Sequence, residues 1–319
     1  MKLGYFADGP WAHRALEKIA QDDRFELSFI VPRYDARDPV LADWANELGI
    51  DFLPIENVNR SADVEILKAY GADIFVSMSF NQILKKEIIN LPRLGFINCH
   101  AGALPYYRGR NVLNWALIND ASEFGVTVHY IDEGIDTGDI IVQKFSPISD
   151  RDTYKTLLDR AVVMCAEALH EALGSLHAGS TKRLSQSDID PVGFYCGRRV
   201  EGDELIEWSW PSRRIFNFVR GIASPGPCAR TFLGASEIVI GDAAMIAGAP
   251  EYIGTPGEIV RVVQRGIVVK TGDTTILLKD IAGAENFRFR IGQRLGVSNQ
   301  TGLLLELRRR IEELERLIK

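Results

Sequence analysis

Three adjacent residues at the end of an apolar run could do chemistry: Asn98, Cys99 and His100 in "GFINCH", followed by the loop "AGALPYYRGR". In an extended segment alternate side chains share a side, so Asn98 and His100 point together and Cys99 points away. An amide can donate a hydrogen bond to a developing oxyanion, and a neutral imidazole can take a proton from an attacking group. A carboxylate is then wanted to fix the tautomer and raise the basicity of the imidazole. The Gly-punctuated stretch "YIDEGIDTGDI" offers Asp132, Glu133, Asp136 and Asp139. Cys99 is expected to be a small buried apolar residue. His129, beside the apolar run "GVTV", reads as strand packing, and His170 and His177 as surface residues of a helix.

The elements that must hold these residues follow from the hydrophobic periods. "KLGYFA", "FELSFIVP", "DFLPI", "DIFVSMS" and "GFINCH" read as strands, separated by the helical patterns "WAHRALEKIAQD", "PVLADWANELGI" and "SADVEILKAYG". Strand-helix alternation predicts an α/β fold, a Rossmann-like and mostly parallel sheet with helices on both faces. "FGVTVHYID" and "DIIVQKFSPI" have period two and predict antiparallel additions to it. "TYKTLLDRAVVMCAEALHEALGSLHAG" is a long amphipathic helix that ends at Gly179.

From about residue 200 the texture changes to one helix and then short strands at close spacing. A small, partly open, OB-like β-barrel is expected there, with a hairpin turn at Gly272 and Asp273. The expected organisation is a catalytic domain over 1–180, a polar linker over 181–200, the barrel over 201–300 and an amphipathic helix over 301–319. In that last helix Leu304, Leu307, Ile311, Leu314 and Ile318 form an a/d seam, about two heptads long, which suits a homodimer or packing on the body of the protein.

Composition narrows the function. The chain has 319 residues and a formal net charge of −6, which gives no global attraction to phosphate backbones, so no nucleic-acid partner is expected. The opening residues do not match a signal peptide, and no window approaches the roughly 20 apolar residues of a membrane span, so a cytoplasmic protein without a membrane partner is expected. Cys99, Cys165, Cys196 and Cys228 lack metal-ligand spacing, so reduced thiols and no metal are expected. The first strand is followed by "FADGPWAHRAL", which has neither GxGxxG nor GxxxxGK[ST], so a nucleotide-driven redox or kinase reading is weak.

"FINCHAGALPYYRGRNVLNWALIND" followed by "GVTVHYIDEGIDTGDIIVQ" resembles the folate-dependent formyltransferase family, and "GRRVEGDELIEWSWPSRRIFNFVRGIASPGPCART" resembles the second-domain entry of its two-domain members. The resemblance implies a catalytic triad of Asn98, His100 and Asp136, and formyl transfer from 10-formyltetrahydrofolate to an amine without a metal. It implies that the pterin is held largely by backbone groups of two loops. One includes Ser79, Phe80, Ile83 and Leu84, the other Asp132 and Gly134, with Leu104 lining the same pocket. Tyr107, Arg108, Gly109 and Arg110 then form a substrate loop whose two arginines could meet phosphate oxygens.

Members of the family that formylate methionyl-tRNA usually carry a basic, glycine-rich insertion after the second strand. Here that stretch is "VPRYDARDPVLADWANELGI", nearly balanced in charge. Members that formylate glycinamide ribonucleotide have one domain and a proline after the motif histidine, where this chain has Ala101. "YRGRNVLNW" and "GRRVEGDELIEW" look closest to the enzymes that formylate amino-deoxysugars linked to UDP or dTDP in polysaccharide biosynthesis. The resemblance thus implies such a small-molecule acceptor. A tRNA acceptor is the family alternative, and a non-catalytic folate-binding or assembly protein is the alternative of another class.

Overall fold

The computed structural model describes residues 1–234, 236–283, 288–296, 307, 308, 310, 311 and 314–316. Two compact units are present. The first comprises Met1–Ala116, Ser122–Asp150 and Thr156–Arg198, the second Leu117–Ala121, Arg151–Lys155 and the chain from Arg199 onward.

In chain order the elements up to Cys196 are β1 (Lys2–Ala7), α1 (Gly9–Ala20), β2 (Glu26–Pro32), α2 (Pro39–Leu48), β3 (Asp51–Phe52), α3 (Ser61–Ala69), β4 (Ile74–Met78), α4 (Lys86–Ile89), β5 (Phe96–His100), β6 (Arg108–Gly109), α5 (Val112–Ile118), β7 (Glu123–Tyr130), β8 (Ile140–Pro147), α6 (Tyr154–His177), α7 (Gln186–Ile189) and β9 (Tyr195–Cys196). The main sheet has the order β3-β2-β1-β4-β5-β7-β8. Its first five members are parallel, and β7 and β8 join antiparallel as their period-two patterns predict.

Continuous apolar runs in β1, β2 and β4 bury both faces, which is why these strands need helices on each side. An aromatic cluster fills one layer. The ring of Phe6 lies 4.8 Å from Phe96 and 5.1 Å from Phe75, centroid to centroid. The start of α2 is fixed by Asp38, whose carboxylate accepts the Val40 and Leu41 amides, with Pro39 at the first helical position. On the other face of the sheet α6 buries Ala161, Cys165, Ala168 and Leu169. The Cys99 thiol points to it, donating to the Cys165 carbonyl at 3.5 Å, so the expectation of a buried Cys99 holds.

The segment expected to be a polar linker is paired to neighbouring strands. Leu184 and Ile140 exchange both backbone hydrogen bonds, and β9 pairs in parallel with β6. Most polar side chains there are exposed, whereas Gln186 is buried, its amide donating to the carbonyls of Asp136 and Gly138.

The second unit holds α8 (Ser212–Ile222) and β10 (Ala229–Leu233), β11 (Ser236–Met245), β12 (Ile259–Val263), β13 (Gly266–Lys270) and β14 (Thr275–Ala282). They form an antiparallel sheet in the order β10-β11-β14-β13-β12. Leu295 bridges to Leu233 of β10 and Arg294 to Glu258 beside β12, so a short segment links the two edges. The hairpin at Gly272 and Asp273 joins β13 to β14, with Lys270 opposite Thr275. One core, including Trp208, Ile215, Val219, Ile240 and Leu278, lies under the sheet and α8. Of the expected terminal helix, residues 307, 308, 310, 311 and 314–316 are helical. The seam as a whole, with Leu304 and Ile318, lies outside the described residues.

Candidate active site

Antiparallel pairing of β5 with β7 sets Asn98 opposite His129 and His100 opposite Thr127. All four therefore occupy one face of this strand pair, the face opposite Cys99. The loop from Ile131 to Asp139 folds back over that face. It is closed at its base by the Tyr130 amide, which donates to the Asp139 carbonyl at 2.9 Å. Asp136 at its tip adopts a left-handed backbone (φ 54°) and presents its carboxylate to both imidazoles, with Oδ2 3.7 Å from His100 Nδ1 and Oδ1 3.5 Å from His129 Nε2. The Gly109 N–H donates to Oδ2 at 2.9 Å. Asp139, by contrast, is used through its backbone at the loop base.

The protonation pattern follows from the partners. His100 Nε2 lies 2.7 Å from the Tyr107 carbonyl, which can only accept, so Nε2 carries a proton and Nδ1 is the nitrogen that faces Asp136, bare when the ring is neutral and a donor to the carboxylate when it is charged. Here a backbone carbonyl fixes the tautomer, whereas the sequence reading gives that task to the carboxylate. His129 Nδ1 donates to the Tyr130 carbonyl at 2.8 Å, which leaves its Nε2 to accept from Asn98 Nδ2 at 3.3 Å. His129 is buried in its strand as expected, yet its ring belongs to the site. Only the β5–β7 register reveals this.

Asp136 is mostly buried, which alone would push its carboxyl up. When the two imidazoles are protonated, the charge of His100 and the hydrogen bond and charge of His129, together with the Gly109 N–H, outweigh burial and hold it well below the usual carboxylate range. A depressed native value adds stability that is fully present above the unfolded value and is lost as pH falls through the native one. Asp136→Asn is therefore expected to cost stability at neutral pH, and the gap to the native protein should close as pH falls below 3.8, the ordinary aspartate value. Urea midpoints measured from pH 7 to pH 2.5 check this, and a gap that widens in acid would contradict it.

Gly102 sits behind the histidine. A Cβ there would come within 2.5 Å of His100 Nε2 and of the Tyr107 carbonyl. Gly102→Ala is expected to destabilise the protein by about 1–3 kcal/mol through overpacking, read as a lower urea midpoint with unchanged slope. Gly109 (φ 93°) is equally constrained, because a Cβ would lie 2.5 Å from the Cys196 carbonyl.

The other expected site residues divide. The Asp132 carboxylate is spent inside its loop, accepting from the Gly134 amide at 3.0 Å and from the Thr137 hydroxyl. The Ser79 carbonyl accepts Arg33 Nε at 2.9 Å and Nη2 at 2.6 Å. The Phe80 ring packs edge-on to Phe6, 5.5 Å away. Leu84 is buried, whereas Ile83 is 77% exposed, and Ile135 in the 131–139 loop is 58% exposed. Leu104 corrects the expectation of a pocket-lining residue: it is 1% exposed and belongs to the core, with its carbonyl taken by Gln143.

Arg108 is a second correction. Its guanidinium is buried, donating to Gln186 Oε1 at 3.0 and 2.7 Å and to the Val192 carbonyl at 3.3 Å, and it lies over the Tyr195 ring. A guanidinium satisfied in this way is structural and is withdrawn from phosphate binding. Tyr107 packs on Phe194 with ring centroids 4.8 Å apart, and Arg110 is exposed. Among the described residues no cluster of three His, Cys, Asp or Glu side chains could hold a metal ion. No helix among them is long and apolar enough to cross a membrane.

An amide donor, an imidazole and a buried carboxylate on a sheet face define a site for addition to a carbonyl with proton transfer, on an α/β sheet followed by an antiparallel-sheet unit. Residues 43–173 match the formyl transferase family model, and residues 200–289 match that of the formyl transferase C-terminal domain. The chain belongs to the formyltransferase family. The methionyl-tRNA formyltransferase of Syntrophus aciditrophicus (strain SB) is 35% identical over 262 residues, 82% of each chain. That of Geotalea uraniireducens (strain Rf4) is 36% identical over 237 residues, 74% of each. Among solved structures, WlaRD, a sugar 3N-formyl transferase crystallised with dTDP and 5-N-formyl-THF, matches with TM-score 0.65 and 23% identity over 88% of this chain and 98% of its own. The N-formyltransferase of Helicobacter canadensis, in complex with folinic acid and dTDP-3-aminofucose, matches with TM-score 0.65 and 21% identity over 88% of this chain and 99% of its own. At these identities the two structures speak to the fold.

Proposed function

We propose that the protein transfers the formyl group of 10-formyltetrahydrofolate to the amine of an amino-deoxysugar carried on UDP or dTDP, in the cytoplasm. The observation that carries the reaction is the convergence of Asn98, His100 and Asp136 on one face of β5 and β7. When bound, the folate supplies a formyl carbon already attached to nitrogen. The two loops fit such a group, since each offers backbone polar groups beside an exposed apolar side chain, Ile83 on one and Ile135 on the other. Those side chains would cover a flat pterin.

Asn98 has two N–H groups. One is held by His129 Nε2, and the other is left to donate to the oxyanion as the amine adds. His100 keeps its Nε2 proton on Tyr107, so the bare Nδ1 receives the proton of the attacking amine, and Asp136 stabilises the imidazolium across the 3.7 Å gap. The same ring returns that proton to the departing nitrogen. One C–N bond forms, one breaks, and no net charge is created.

The sugar acceptor is supported by the charge around the second strand. Arg33 is engaged by Ser79 and by Asp8 at 3.4 Å, and Arg37 stacks on Tyr34. With a net charge of −6, little is offered to a tRNA backbone. Exposed Arg110 is the cation we assign to the diphosphate. The two solved neighbours that bind dTDP or a dTDP sugar support the same reading. The second reading, a methionyl-tRNA acceptor, is favoured by relatives at 35% and 36% identity that bear that name. Calorimetric titration with dTDP- and UDP-amino sugars and with methionyl-tRNA separates them. Saturable binding of one nucleotide sugar is expected, weakened by Arg110→Ala. Binding of tRNA alone, falling steeply with salt, would move the acceptor to tRNA.

A further inference from the structure

We propose that Gln186 is a positioning residue for formyl transfer, holding the Asp136 loop so that its carboxylate stays against His100. The inference rests on the reading of Asp136 as the partner of His100. Gln186 is 3% exposed and lies in the segment that composition marks as a linker. Its Nε2 donates to the carbonyls of Asp136 and Gly138, both at 2.8 Å, and its Oε1 accepts two N–H groups of Arg108. The amide orientation is unambiguous, because carbonyls only accept and a guanidinium only donates.

These bonds close a ring around the catalytic carboxylate. Asp136 is held at its side chain by the Gly109 amide and at its backbone by Gln186. Gln186 in turn is held by Arg108, the residue next to Gly109. The base of the ring is fixed by the reciprocal Leu184–Ile140 hydrogen bonds, 2.8 and 3.0 Å long. A left-handed backbone at a non-glycine residue such as Asp136 persists only when its surroundings over-determine it. The ring supplies that constraint. Glutamine is the side chain the geometry demands: glutamate could pair with Arg108 but would set a carboxylate oxygen against two carbonyls.

The test is Gln186→Glu, which keeps the shape and the Arg108 pairing. Beside it stands Gln186→Met, which changes no formal charge and removes both hydrogen-bonding ends of the amide. Two readouts are taken: steady-state formyl transfer, and carbon NMR titration of the Asp136 carboxyl in the full chain. For both variants kcat is expected to fall by about 10–100-fold, since a misplacement near 1 Å can cost that much, with KM unchanged. In Gln186→Met, where no charge is added or removed, the Asp136 carboxyl should titrate at higher pH than in the native protein because His100 is no longer held against it, an effect that a purely structural glutamine would not produce. If Gln186→Glu does not fold, Gln186→Met decides. A folded variant with native kcat and a native Asp136 titration overturns the proposal. If no acceptor is formylated by the native protein yet the titration moves as expected, the functional reading fails and the positioning role stands.

Discussion

Replacing His100 by alanine is expected to lower kcat by about 10²–10⁴-fold, the usual contribution of a positioned proton acceptor. The imidazole is the group whose two nitrogens are both assigned. Nε2 is bound to the Tyr107 carbonyl at 2.7 Å, and Nδ1 faces Asp136 Oδ2 at 3.7 Å. Removing the ring leaves the attacking amine without a base, and leaves the Asp136 carboxylate with the Gly109 amide and His129 as its remaining partners. Loss of rate with KM for the folate nearly unchanged would mark a group that acts on the proton rather than on binding. Single-turnover kinetics with an amide spectrum of the variant make the measurement. Native kcat in a folded His100→Ala protein would remove this residue from the mechanism.

Asn98→Ala is the second large effect, expected to reduce kcat by about 10²–10³-fold, as for loss of one oxyanion donor. The amide is pre-oriented in the native protein. His129 donates through Nδ1 to the Tyr130 carbonyl, so only its bare Nε2 can meet Asn98, and the nitrogen end of the amide must face it. Asn98→Asp tests the same point with a side chain of similar shape, because an ionised carboxylate accepts where the amide donates. Both variants should lose rate, the aspartate at least as severely as the alanine when measured at neutral pH. An active Asn98→Asp enzyme would show that the oxyanion is stabilised elsewhere.

Periodicity revealed those parts of the molecule where one face or both faces of an element are buried. The parallel strands, the antiparallel pair β7 and β8, the long α6 and the hairpin at Gly272 each carry their pattern locally. The Asn-x-His pair was legible for the same reason, since period two places both side chains on one side of β5. What was not legible depends on pairing between distant segments. His129 enters the site only because the β5–β7 register sets it opposite Asn98, and a one-residue shift would have turned it away. Arg108 reads as a substrate-loop arginine until Gln186, 78 residues further on, is found against it. Gln186 itself sits in a polar stretch whose composition suits a linker equally well. Leu104 shows the converse, an apolar loop residue that folding commits to the core rather than to a pocket.

We propose formyl transfer to a small amine on a nucleotide sugar. It is tested most directly by mass spectrometry of reactions containing 10-formyltetrahydrofolate and, separately, UDP- and dTDP-linked 3-amino and 4-amino deoxysugars and methionyl-tRNA. One added formyl group is expected on a single nucleotide sugar, dependent on His100 and absent from the tRNA. Formylated methionyl-tRNA with every sugar untouched would contradict it.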